Sequence, residues 1–249
     1  MKSKLLLIVL LVLTIAVNAQ DKGKDGKDKN VKVETTPTVK PSSDLEIKIY
    51  NTALKYGDIE VARTAMYSLL AKHPDSISYL DTIARLYFSA GNYVQCALSS
   101  KDYLTKDTTN LFVREMLAIS YSSLNKSKEA LEQYEILHAS TKSVYHAYQI
   151  AVLQYVLKRY GECEATLAEI IANPKSADEK VSMSVDQNTT QQVPIKAAAY
   201  NIKGVMQKEL NKPDEAKVFF EEAIKVYPDF ALAKGNIESL NKAKTPDKK

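Results

Sequence analysis

The sequence has 249 residues with an ordinary share of apolar and charged side chains, 7 Gly, 8 Pro, no Trp and 15 Tyr. This composition fits a soluble, mainly helical chain and excludes one that is disordered throughout. The net charge of +4 includes Lys2 and Lys4 and is +2 without them. That surplus is too small, and too evenly mixed with acids, to be a nucleic-acid footprint.

Lys2 and Lys4 precede an apolar stretch from Leu5 to Val17, and Val17-Asn18-Ala19 places short side chains where a signal peptidase reads. Residues 1–19 are therefore expected to be a secretory signal cleaved before Gln20. A retained membrane anchor is the alternative, but 13 helical residues cover only about 20 Å of a hydrocarbon core about 30 Å thick. No Cys ends the segment, so the lipid-acceptor arrangement of a lipoprotein is missing. The expectation is a periplasmic or secreted protein with no stable membrane insertion after cleavage.

Residues 20–43 run through Lys, Asp and Gly to Thr, Val and Pro with no apolar period. They are expected to form a disordered polar linker. From Leu45 the apolar residues recur at helical spacing, and comparison of the segments reveals a repeat. Small residues at Ala62, Cys96, Ala130, Cys163 and Ala216 are separated by 34, 34, 33 and 53 positions. A second series, Ala84, Ala118, Ala151 and Gly204, is separated by 34, 33 and 53, so both carry one register with one interruption of about 19 residues.

Each unit reads as helix, turn, helix. In the second, Leu80, Ile83, Ala84 and Tyr87 form one apolar face, Ala90-Gly91-Asn92 breaks it, and Tyr93, Cys96, Ala97 and Leu104 form the next. The small residues fall where paired helices must approach closely. The units span about 43–76, 77–110, 111–143, 144–176 and 197–230, within a folded region of 44–242. The insertion at about 175–194 contains Val181-Ser182-Met183-Ser184-Val185, which has strand-like alternation, but its Ser, Asp, Gln and Thr content reads as a mobile loop. Phe230, Ala233, Ile237 and Leu240 then mark a capping helix over 230–242, followed by a polar tail over 243–249.

The residues offer little chemistry. His73, His138 and His146 lie near helix ends without a partner at ligand spacing, and read as solvated side chains. Cys96 and Cys163 occupy a position that is Ala in the other units, so they read as small core residues. The acidic pairs Glu132/Glu135 and Glu221/Glu222 read as solvated helix faces, and no phosphate loop or nucleophile elbow appears. The expectation is a non-enzyme with no metal and no cofactor.

The pattern Tyr200-Asn201-Ile202-Lys203-Gly204, Pro213-Asp214-Glu215-Ala216, Phe220, Ala223 and Pro228 resembles the tetratricopeptide repeat, and the other units match it more loosely. The resemblance implies an all-α, right-handed superhelix of about five helix-turn-helix repeats plus a capping helix. It also implies a scaffold or adaptor that binds a protein or peptide in a concave groove. Carried onto this chain, the groove positions include Asn51 and Lys55 in the first unit, Asp81, Arg85 and Phe88 in the second, and Phe112, Glu115 and Ile119 in the third. In the fourth and fifth they include Tyr145, Tyr148, Tyr155, Asn201 and Lys208. Asn51 matches the carboxylate clamp of chaperone-binding members, whereas Ile47 and Phe112 replace basic residues that clamp needs, so an apolar or helical ligand is expected instead. The Tyr-rich fourth unit offers an alternative, a glycan or small ligand stacked on aromatic faces. Asp75-Ser76-Ile77 and Asp107-Thr108-Thr109 resemble acceptors for O-linked glycans, with Ser76 and Thr108 as the loop candidates, whereas Thr82 lies within a helix.

Overall fold

The structure, a computed structural model, describes residues 45–244. The expectations for residues 1–44 and 245–249, which are the signal, the linker and most of the tail, lie outside them. Helices follow one another in chain order, α1 (Leu45–Lys55) packing with α2 (Ile59–Lys72) and α3 (Ile77–Ser89) with α4 (Tyr93–Lys106). Next come α5 (Leu111–Ser123) and α6 (Ser127–Thr141), then α7 (Val144–Val156) and α8 (Tyr160–Ala172). The last pair is α9 (Ile195–Glu209) with α10 (Pro213–Val226), followed by α11 (Ala231–Lys244). The described residues form two compact units, one ending at Lys126 and the other beginning at Ser127. No helix among them is long and apolar enough to cross a membrane.

The turns that follow α1, α3, α5, α7 and α9 are built one way. Gly57, Gly91, Asn125, Lys158 and Asn211 have φ of 73°, 70°, 57°, 58° and 59°, the left-handed conformation that ends a helix most cheaply with Gly or Asn. The next residue's amide then reaches back five positions to a carbonyl of the first helix, from Asp58 to Ala53, Asn92 to Tyr87, Lys126 to Tyr121, Arg159 to Gln154 and Lys212 to Gln207. These turns repeat at the same 34, 34, 33 and 53 spacing as the small residues. Both small-residue series are buried: Ala62, Cys96, Ala130, Cys163 and Ala216 have no exposed surface, nor do Ala84, Ala118 and Ala151. Close helix approach at those points is what lets the large neighbours fill the core.

The insertion is not a loop. After a 3-10 turn over Pro174–Ala177, β1 (Lys180–Ser184) pairs antiparallel with β2 (Thr190–Pro194), with Val181 opposite Val193 and Met183 opposite Gln191. The alternation puts Val181, Met183 and Val193 on one face, where they join the core of α7, α8 and α9 with Ile195, Ala198, Phe230 and Ala233. Of the polar residues that suggested a loop, Ser182, Ser184 and Gln192 are on the opposite face, whereas Gln191, paired with Met183, shares the docking face. Gln191 extends the connection, its Oε1 accepting from Ala231 N at 3.1 Å and its Nε2 donating to Asp229 O at 2.6 Å. It thereby satisfies an amide in the first turn of α11 that its own helix cannot.

Candidate partner-binding face

In the unit ending at Lys126, Asp81 and Arg85 are one helical turn apart on α3, and Arg85 Nε lies 2.8 Å from Asp81 Oδ2 and 3.0 Å from Oδ1. The guanidinium stacks over the ring of Phe112, on α5, at 4.0 Å from its centroid. Asp81 is buried beneath, while Phe112 remains 45% exposed. The pair therefore presents a flat guanidinium and aromatic platform, its charge balanced by Asp81, whose orientation is set before any ligand arrives. Phe88, on α3, stands edge-on to Tyr93 at 6.3 Å, and Glu115 is half-buried. Asn51 and Lys55 are exposed on α1, Lys55 Nζ lying 5.6 Å from the ring of Tyr56.

Besides Asp81, three other expected groove residues are buried. Ile119 is 8% exposed, Tyr148 3% and Asn201 6%. Tyr148 points into the cluster formed by Ala147, Ala151 and Ala197, because the alanines draw α7 and α9 together and leave room for a ring between them. Asn201 Oδ1 accepts from Asn236 Nδ2 of α11 at 3.0 Å, and Lys208 Nζ donates to Ser239 Oγ at 3.1 Å. Both join the fifth pair to the helix behind it, and only Lys208 is also exposed. Ile47, at one of the clamp positions, is likewise core at 4% exposure.

Tyr145 is half-buried, edge-on to His146 at 5.8 Å. Tyr155 Oη and Tyr160 Oη each donate to one oxygen of Glu209 at 2.7 Å, tying the turn between α7 and α8 to the end of α9. The hydrogen bond to Glu209, then burial, pushes the Tyr160 phenol up to about 12, and burial followed by the same carboxylate raises Tyr155. Neither Tyr160 nor Glu209 was among the sequence candidates; they stand 49 positions apart, beyond the reach of any local pattern.

The remaining polar groups have structural surroundings. His146, expected to be solvated, is 7% exposed with Nδ1 2.9 Å from Thr141 Oγ1. Cys96 and Cys163 are free and buried, and burial pushes the Cys163 thiol up to about 11. Among the described residues no three His, Cys, Asp or Glu side chains stand close enough to hold a metal. Thr82 is buried in α3 with its hydroxyl donating to Ser78 O, whereas Thr108 is exposed between α4 and α5.

Comparison with known proteins supports the geometry. A tetratricopeptide-repeat family model matches residues 202–229, which cover most of α9 and all of α10. The crystal structure of YrrB, a protein described as having an unusual peptide-binding site, superposes with a TM-score of 0.60 at 15% identity, over 78% of this chain and 90% of that one. This is a tetratricopeptide-repeat fold. A tetratricopeptide repeat protein from Parabacteroides merdae is similar at a TM-score of 0.57 and 17% identity, covering 79% of this chain and 71% of its own. MamA from Desulfovibrio magneticus follows at 0.54 and 11%, covering 75% and 95%. No curated protein matches the sequence. In the vocabulary of the tetratricopeptide repeat, the platform of Asp81, Arg85 and Phe112 lies on the first helices of the second and third repeats.

Proposed function

We propose that this tetratricopeptide-repeat protein is a non-enzymatic scaffold that holds a protein or peptide partner against the first-helix face of α3 and α5. The fold is that of a protein-interaction module. The single observation that carries the reading is the Arg85 guanidinium, held by Asp81 and laid on a ring, Phe112, that is 45% exposed. An exposed aromatic and an immobilised Arg bury a large area on binding with little loss of rotamer freedom, which is the character of an interface anchor. Since Asp81 neutralises Arg85, the platform favours an apolar or aromatic segment over a terminal carboxylate.

The N-terminal pattern of Lys2, Lys4, the apolar run and Ala19 supports placement in the cell envelope or outside it. The exposure of Thr108 is compatible with glycan attachment there. Ligand binding through stacked tyrosines is less favoured, because Tyr148 is buried and Tyr155 is tied to Glu209. The test is capture of partners from envelope extract with wild-type chain and with Arg85→Ala/Phe112→Ala. Partners lost by the variant, with helix content unchanged, support the face; an unchanged set of partners rejects it.

A further inference from the structure

The helix α1 is apolar on two sides. Ile47 and Ala53 face the core with Met66, Leu69 and Ile83. On the other side Leu45, Ile49 and Tyr56 are 65%, 37% and 75% exposed, and Val61 of α2 is 42% exposed. With Lys48, Thr52, Ala53 and Asp58 they line a trough of about 430 Å³. A helix that is hydrophobic on both faces is normally covered on both.

The repeat itself shows what kind of surface this is. Thirty-four positions on from Leu45, Ile49 and Thr52 stand Tyr79, Ile83 and Leu86 of α3, and these pack onto the α1 and α2 pair. Another thirty-four on, Val113 and Leu117 of α5 pack in the same way onto α3 and α4. The outer face of α1 is therefore the surface by which one repeat stacks on the repeat before it. Among the described residues, nothing precedes it.

We propose that this face is a homodimer interface, in which α1 and α2 of one copy stack on α1 and α2 of a second copy about a two-fold axis. The face carries one cation, Lys48, and one anion, Asp58, around an apolar centre. A two-fold axis through that centre sets Lys48 of each copy against Asp58 of the other, the self-complementarity an isologous contact requires. Asp58 also caps α2, its Oδ1 accepting from Val61 N at 3.1 Å, so its carboxylate is held at the rim. A head-to-tail stack has no matching surface, because the outer side of α11 exposes Lys234, Glu238, Ser239 and Lys242. The association closes at two copies.

Sedimentation of the full chain across a concentration series tests this. The wild type forms dimers at micromolar concentration, and Ile49→Glu weakens them at least about 100-fold, since each two-fold contact loses the burial twice. Val218→Glu, on the exposed side of α10, leaves the constant unchanged. Lys48→Glu and Asp58→Lys each weaken self-association, and an equimolar mixture of the two restores it, because the mixed pair sets Glu against Lys at one contact and Lys against Asp at the other; misfolding gives no such rescue. A wild type that stays monomeric overturns the proposal, and if deleting residues 20–43 then produces a dimer, the face belongs to the chain's own preceding segment. A dimer indifferent to Ile49→Glu overturns it as well.

Discussion

Gly204 lies flat against the ring of Phe220: a Cβ placed on it would stand 2.4 Å from Cε1 and 2.6 Å from Cδ1. Phe220 has no exposed surface and cannot swing away. The contact joins α9 to α10 in the repeat that the family model recognises. Gly204→Ala is expected to destabilise by about 1–3 kcal/mol through overpacking, which outweighs the roughly 1 kcal/mol that Ala gains in helix propensity. Urea denaturation measures the difference. Phe220→Leu in the same chain should recover part of the loss, and additive single effects would show that the two residues do not interact.

Gln191 caps α11 from the hairpin, through its bonds to Ala231 N and Asp229 O. Gln191→Ala is expected to cost about 1 kcal/mol, the usual price of a lost helix cap. Amide exchange should rise first in the opening turn of α11 while α7 and α8 keep their protection. Equal acceleration throughout would mean that the hairpin does not anchor that helix in particular.

The Glu209 carboxylate holds Tyr160 protonated up to about 12, against an ordinary 10.0. A phenol whose folded pKa is raised contributes stability that is complete below pH 10 and lost as pH climbs toward 12, because the unfolded chain releases its proton first. Glu209→Gln removes the charge and the stronger acceptor, so two late-titrating tyrosines, Tyr160 and Tyr155, should both move down, with burial still holding Tyr155 up. Tyrosinate absorbance follows the change. An unaltered titration curve would assign the shift to burial alone.

The helical phase and the turns were legible because they are local. Ala62 through Ala216 mark where helices touch, and Gly57, Gly91 and Asn125 mark where one helix ends, whatever surrounds them. The surroundings of the expected groove positions were only partly legible. Arg85 and Phe112 come together as a platform, whereas Ile119, Tyr148 and Asn201 face neighbouring helices. On a first helix the groove face and the stacking face are about one residue's rotation apart, so spacing alone does not separate them. The hairpin was missed for a related reason, since Ser, Thr and Gln on its wet side outnumber the three apolar residues that dock it.

By itself the sequence determined the repeat, its register, the break of about 19 residues and the helical class. Each of these depends on residues within a few turns of one another. Only the tertiary structure decided that Tyr148 is core, that Gln191 reaches Ala231, that Glu209 joins two tyrosines, and that, among the described residues, none covers the outer side of α1 as neighbours cover its counterparts on α3 and α5. Those outcomes turn on which distant segment comes to lie against a given face, and burial is a property of both surfaces together.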